Sequence, residues 1–161
     1  MQDSAVGTGR ADELGRLYEE HRDRLWRGVF AVYGDPDVAS DAVAEAFAQA
    51  LRRGDAIRDP RAWVWRAAFR IAAGELKARS QGARPLEVGE SYEMPESSGE
   101  LISGLRRLSP KQRGALVLRY YEGYSTQEVA EILGSTAAAV RVHLAMGRRR
   151  LRDLLEERDD A

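Results

Sequence analysis

The stretch from Ser109 to Arg152 constrains the fold of this chain more than any other. It opens with Ser109-Pro110-Lys111-Gln112-Arg113, passes through an aromatic-rich segment, reaches Ser125-Thr126-Gln127-Glu128, and ends in Arg148-Arg149-Arg150-Leu151-Arg152. Ser109 with Gln112 and Ser125 with Glu128 have capping-box spacing, in which each side chain satisfies a backbone N–H of the other's turn. Gly134 supplies a tight turn after Leu133, and Thr136 is placed to cap a last helix. Two helices joined by a glycine turn, the second basic along its exposed side, describe a helix-turn-helix. That motif delivers a helix to the major groove, which makes DNA the leading partner. The alternative is a three-helix packing module with a solvated basic face.

Charge supports the first reading. The 161 residues carry a net charge of only −1. From Leu105 to Arg152, however, ten basic residues face three acidic ones, which leaves +7 on this segment. Zero cysteines exclude a disulfide frame and a Cys-ligated zinc site. Met1 to Asp12 is polar and lacks a signal-peptide core, and no apolar run approaches the roughly 20 residues of a membrane span. A soluble cytoplasmic protein is expected.

The N-terminal part carries three helical patterns. Leu14, Leu17, Tyr18, Leu25, Val29, Phe30 and Tyr33 form the first, which Gly34 ends. Asp35 and Pro36 open the second, which runs through Ala46 and Phe47 and stops near Gly54. Asp59 and Pro60 repeat that start for a third helix reaching about Ser80. Hairpin signals are missing, so the fold class is all-α: two small helical domains, 10–81 and 99–157. The intervening segment 82–98 is rich in Gly, Pro, Ser and Glu and reads as an acidic linker, with Ser97 and Glu100 as a further capping box at its end.

Two sets of residues carry candidate chemistry. In the C-terminal domain the backbone N–H groups and hydroxyls at Ser125, Thr126 and Gln127 suit a phosphate. Arg141, early in the last helix, can fork onto guanine O6 and N7, while Ala137, Ala138 and Ala139 allow close approach. Arg148 to Arg150 are placed for backbone phosphates. In the third N-terminal helix, Trp63, Arg66, Arg70 and Lys77 share one side and Val64, Ala67, Ala68 and Ile71 another. Aromatic and basic residues on one face suit single-stranded DNA, where bases stack and arginines hold phosphates. Trp63 and Trp65 are equally compatible with a core position at this stage.

The ordered set of motifs resembles the extracytoplasmic-function (ECF) sigma factors of bacterial RNA polymerase, over Leu14 to about Leu155. Asp37 to Leu51 is similar to the helix that docks on the polymerase clamp, and Asp59 to Arg66 to the helix that opens and reads the minus-ten element. Leu108 to Gly134 looks like the domain that reads the minus-thirty-five element. The resemblance implies core RNA polymerase (beta-prime clamp and beta flap) and promoter DNA as partners, together with an anti-sigma factor. It assigns Asp41, Glu45, Phe47 and Gln49 to polymerase, and Arg58, Arg61, Trp63, Arg66, Arg70 and Lys77 to the minus-ten element, with the loop Gly54 to Arg58 helping to hold a flipped base. To the minus-thirty-five element it assigns Ser125, Thr126, Gln127, Thr136, Ala138, Ala139, Arg141, Val142, His143, Arg148 and Arg149. The chain departs from the family pattern at Ala44 (commonly Gln), Phe69 (Arg), Arg70 (Asn), Ala137 to His143 and Met146.

A promoter-specificity subunit is therefore the expected function. A free-standing helix-turn-helix regulator is the alternative, although the N-terminal half shows neither a ligand-pocket pattern nor a heptad seam. An enzyme is not expected: no nucleophile–base pair, phosphate-cradling Gly loop or metal-ligand cluster stands out, His21 and His143 are the only histidines, and no cofactor is implied.

Overall fold

The computed structural model describes residues 3–81 and 99–160, and every regular element among them is helical. The chain divides into two compact units, Met1–Lys77 and Ala78–Ala161. The acidic segment 82–98, and with it Ser97 of the Ser97–Glu100 box, lies outside the described residues.

Helices α1 (Asp3–Tyr33), α2 (Pro36–Arg53) and α3 (Pro60–Gln81) build the first unit. Gly34, at φ 72°, lets the chain reverse after α1. Asp35 then caps α2: its Oδ1 accepts from the N–H groups of Asp37 at 2.9 Å and Val38 at 3.1 Å. Asp59 does the same for α3, accepting from the Ala62 N–H at 3.2 Å. Between α2 and α3, Gly54–Ala56 forms one turn of 3₁₀ helix. Leu25, Val29 and Val32 of α1 are buried, as are the alanines at 39, 42, 46 and 50 of α2. A face of alanines lets the backbone of α2 approach its neighbour closely, which only small side chains permit.

The buried face of α3 differs from the expected one. Val64 and Ala68 are in the core, but Ala67 and Ile71 are half-buried, and Trp65, Phe69 and Ala72 take the remaining core positions. The pairs 64–65 and 68–69 recur one turn apart, so the apolar stripe is wider than a single file and turned toward Trp65. Phe69 is fully buried, and its carbonyl accepts the Tyr33 hydroxyl at 2.9 Å. Burial pushes the Tyr33 phenol well above its ordinary pKa, so it remains a donor.

The second unit holds α4 (Gly99–Arg106), α5 (Pro110–Leu116), α6 (Thr126–Leu133) and α7 (Ala137–Asp159). Both expected capping boxes form in full at Ser109 and Ser125. Helix α5 continues directly into a π-helical turn, Val117–Tyr121, which the sequence patterning does not reveal. In that turn Val117 and Leu118 point into the core while Tyr120 and Tyr121 are left exposed. From α6 the core takes Val129, Ala130 and Ile132, and Leu133 is half-buried. Helix α7 contributes Val140, Leu144 and Leu154, with Leu151 and Leu155 half-buried at its far end.

Helix α7 packs against α4, α5 and α6 alike. Two glycines set its distance from the neighbours. A Cβ on Gly147 would stand 3.1 Å from Leu116 Cδ1, and one on Gly104 of α4 would stand 2.8 Å from Leu151 Cδ1. Replacing Gly147 by Leu should therefore force α7 off α5 and destabilise the protein by about 1–3 kcal/mol. The neighbouring exposed substitution Ala145→Leu should stay within about 0.5 kcal/mol of the parent. Urea unfolding compares the two; equal midpoints would rule out the close approach at Gly147.

Candidate nucleic-acid interface

The second unit presents α7 through a turn whose geometry is fully determined. Gly134 is left-handed at φ 63° and ψ 42°, a conformation that disfavours residues with a Cβ. Its N–H donates to the Glu131 carbonyl at 3.4 Å while the Ser135 N–H donates to that of Ala130 at 2.8 Å, the paired bonds of a Schellman motif. Thr136 then caps α7 by accepting from the Ala139 N–H at 3.1 Å. The result is a bend of 100° between α6 and α7, within the helix-turn-helix range.

The candidate residues of this unit fall into a consistent pattern. Ser125 and Gln127 are exposed at the start of α6, with Thr126 half-buried beside them. On α7, Ala138, Arg141, Ala145 and Arg148 are exposed and follow one another at spacings of three or four, so they line one face. Val142, Met146 and Arg149 form the adjacent exposed stripe, with Val142 at 55 % and Met146 at 54 % exposure. Ala139 and His143 are half-buried at the edge of this surface. The three consecutive arginines separate by role. Arg150 Nε donates to the Arg107 carbonyl at 3.3 Å and so ties α7 to the end of α4, whereas Arg148 Nη1 donates to the Tyr120 hydroxyl. Arg150 is thus a brace within the unit rather than a third member of a phosphate-facing row.

In the first unit, α3 divides its two tryptophans. Trp65 is core, with the Arg61 guanidinium 5.3 Å from its ring centroid and His21 edge-on at 6.0 Å. Trp63 is half-buried and lies under the Arg53 guanidinium at 5.3 Å. Arg66 is half-buried, while Arg58, Arg70 and Lys77 are exposed. Arg53, the last residue of α2, is absent from the sequence-based set because nothing in the local pattern links it to Trp63.

Helix α2 carries the other candidate face. Asp41 is exposed, and Glu45 and Gln49 follow at i+4 and i+8. Glu45 Oε1 accepts from Gln49 Nε2 at 3.0 Å and from an Arg52 guanidinium nitrogen at 3.0 Å. The Gln49 hydrogen bond, then that of Arg52, holds the Glu45 carboxylate below its ordinary pKa. Phe47 faces the other way: it is buried and meets Tyr18 edge-on at 5.1 Å. Its ring supports the polar face of α2 from behind instead of lying on it, because α2 turns positions 43, 46, 47 and 50 toward the core together.

Among the described residues no group of three or more His, Cys, Asp or Glu side chains is arranged to hold a metal ion. No single described helix is long and apolar enough to cross a membrane.

Comparison with known proteins adds the family. Residues 98–151 match the model of sigma-70 region 4. The RNA polymerase sigma-E factor of Streptomyces avermitilis is 32 % identical over 160 residues, covering 94 % of this chain and 89 % of that protein. The ECF RNA polymerase sigma factor BldN of Streptomyces coelicolor is 30 % identical over 149 residues; the match covers 83 % of this chain and 56 % of BldN. In fold, the chain is similar to the sigma factor RpoE of Bartonella quintana solved with the anti-sigma factor NepR, at a TM-score of 0.71 and 20 % identity over 89 % of this chain and 97 % of that one. The chain belongs to the ECF RNA polymerase sigma factors. Members of this family direct promoter-specific initiation of transcription.

The Glu45 cluster yields a titration test. Its folded-state pKa lies below the unfolded one, so its contribution to stability is present above the unfolded value and is lost as pH falls through the folded one. Gln49→Ala removes the larger cause and should move the Glu45 carboxyl back toward its ordinary range, followed by NMR of the side-chain carboxyl. An unchanged titration curve would show that Gln49 does not hold this group.

Proposed function

We propose that the chain divides a sigma factor's work between its two units: the first docks on core RNA polymerase and reads the minus-ten element, and the second reads the minus-thirty-five element. The observation that carries this reading is the capped, 100° turn that projects the Ala138–Arg141–Ala145–Arg148 face of α7. A free-standing regulator would need only that unit, whereas the family relationship extends over 94 % of the chain. The role is regulatory, with the chemistry of RNA synthesis left to the polymerase.

Within the second unit, Arg141 meets base edges in the major groove, and Ala138, Ala139, Val142 and His143 line the approach. Ser125, Thr126, Gln127 and Thr136 contact the flanking backbone, and Arg148 and Arg149 take phosphates. Arg141→Ala should cost about 1–3 kcal/mol and relax preference at a single base pair. The measurement is binding of the full chain to single-base variants of its upstream element; an equal loss on every variant would make Arg141 a phosphate anchor instead.

Within the first unit, Asp41, Glu45 and Gln49 present a pre-ordered polar face to the polymerase clamp, with Phe47 supporting them from the core. Arg58, Arg61, Arg66, Arg70 and Lys77 line the path of the exposed strand, and the loop Gly54 to Arg58 holds a flipped base. Trp63 is half-exposed, which leaves part of its ring available for stacking while Arg53 covers it from another side. Trp63→Ala should reduce permanganate reactivity of promoter thymines in the holoenzyme by about tenfold or more, in line with roughly 1–3 kcal/mol per stacked base. Binding to duplex promoter should be little changed. Equal melting by the parent and the variant would restrict Trp63 to a packing role. An anti-sigma factor is a further proposed partner, supported by the likeness in fold to a sigma factor solved in such a complex.

A further inference from the structure

The exposed ring of Tyr120 collects two cations. The Arg119 guanidinium lies 5.8 Å from its centroid and that of Arg148 lies 5.9 Å from it, each within cation–π range. Arg148 also donates a hydrogen bond to the Tyr120 hydroxyl. Tyr120 is 55 % exposed, so it contributes little to the core. Among the described residues neither guanidinium forms an ion pair with a carboxylate, in contrast to Arg10, which meets Glu13 at 3.2 Å, and Arg52, which meets Glu45 at 3.0 Å. Two like charges held around one exposed ring repel each other, and an anion placed between them relieves that repulsion.

The π-helical turn is what creates this arrangement. By widening the end of α5 it keeps Val117 and Leu118 in the core while turning Tyr120 outward, toward α7 and Arg148. Such turns within helices occur frequently at functional sites. Arg141 and Arg148 lie seven residues apart on one face of α7, which places the Tyr120 cluster about 10 Å along the helix from the base-reading position. With Arg141 at the base edges, an anion that far along the helix belongs to the sugar–phosphate backbone.

We propose that Arg119 and Arg148 form a clamp for one backbone phosphate of DNA and that Tyr120 is the positioning residue that holds the clamp open. The inference rests on the reading of the second unit as a DNA-binding unit. Arg119 and Tyr120 become parts of the interface that no local sequence pattern marks, and Arg148 becomes a preset contact instead of a loosely tethered charge.

The test uses the full chain and a mixed-sequence 25-base-pair duplex, because a phosphate clamp is indifferent to sequence. Affinity is measured across a series of salt concentrations. The parent should show a steep salt dependence. Arg119→Ala should lower the slope of log K against log salt by about 0.9 and weaken binding roughly fivefold at 0.15 M salt. Tyr120→Ala should weaken binding in the parent but have no further effect in an Arg119→Ala/Arg148→Ala background, because a positioning residue loses its effect when the groups it positions are gone. Tyr120→Phe, which keeps the ring and removes the hydroxyl, should fall between the parent and Tyr120→Ala. Circular dichroism of each variant checks that the fold is retained. An unchanged slope in Arg119→Ala, or an effect of Tyr120→Ala that persists undiminished in the double-arginine variant, would overturn the clamp while leaving DNA binding by the unit intact. No salt-dependent binding by the parent would overturn the DNA reading itself.

Discussion

Helices of seven or eight residues do not persist alone in water, because nucleation fixes several dihedral angles before hydrogen bonds compensate. Three helices of the second unit, α4, α5 and α6, are of that length, and all three pack on α7. With 23 residues, α7 is the long member. The unit therefore depends on the contact of short capped helices with one continuous helix. Gly104 and Gly147 let that contact be close, and Arg150 secures α4 to it through the Arg107 carbonyl. The helix proposed to face DNA is thus the same helix that holds its unit together, and the two duties fall on opposite sides.

The first unit reaches its stability differently. Its helices are longer, and the alanine face of α2 brings backbones together without large interlocking side chains. Three polar side chains there have defined partners: Asp35 serves two backbone N–H groups, Tyr33 donates to the Phe69 carbonyl, and the Trp26 indole donates to Ser40 at 3.0 Å. The outer side of α2 is then left to Asp41, Glu45 and Gln49. Because Gln49 and Arg52 already hold Glu45, the carboxylate has little freedom left to lose, which would lower the entropic cost of the docking proposed for this face.

Most helix boundaries were legible in the sequence because their signals are local. Asp35-Pro36, Asp59-Pro60, the boxes at Ser109 and Ser125, Gly134 and Thr136 each act on backbone groups within four residues. What was not legible depends on contacts distant in sequence. Periodicity alone could not orient α3, so Phe69 went unplaced, and Ala67 and Ile71, grouped on one side with Val64 and Ala68, are only half-buried; the true stripe is set by what α1 brings to meet it, including Tyr33. The candidate site was legible as a set of residue types on faces, and less so as a set of interactions. Arg53 over Trp63 and Arg148 against Tyr120 join residues 10 and 28 positions apart, through loops whose paths no motif encodes. The π-helical turn at Val117–Tyr121 carries no compositional mark at all.

The division of α7 into an inner and an outer side has a consequence for how such a protein changes over evolutionary time. Val140, Leu144, Gly147 and Leu154 answer to packing, and substitutions there threaten the whole unit. Ala138, Arg141, Val142 and Ala145 point outward and answer to nothing inside the protein. Drift on that outer side is buffered from folding, so, with the promoter-reading role proposed for it, new preferences can be sampled one residue at a time without passing through unstable intermediates. The exposed Val142 and Met146 illustrate such freedom: they are apolar residues on a water-facing surface that the scaffold tolerates because it does not depend on them.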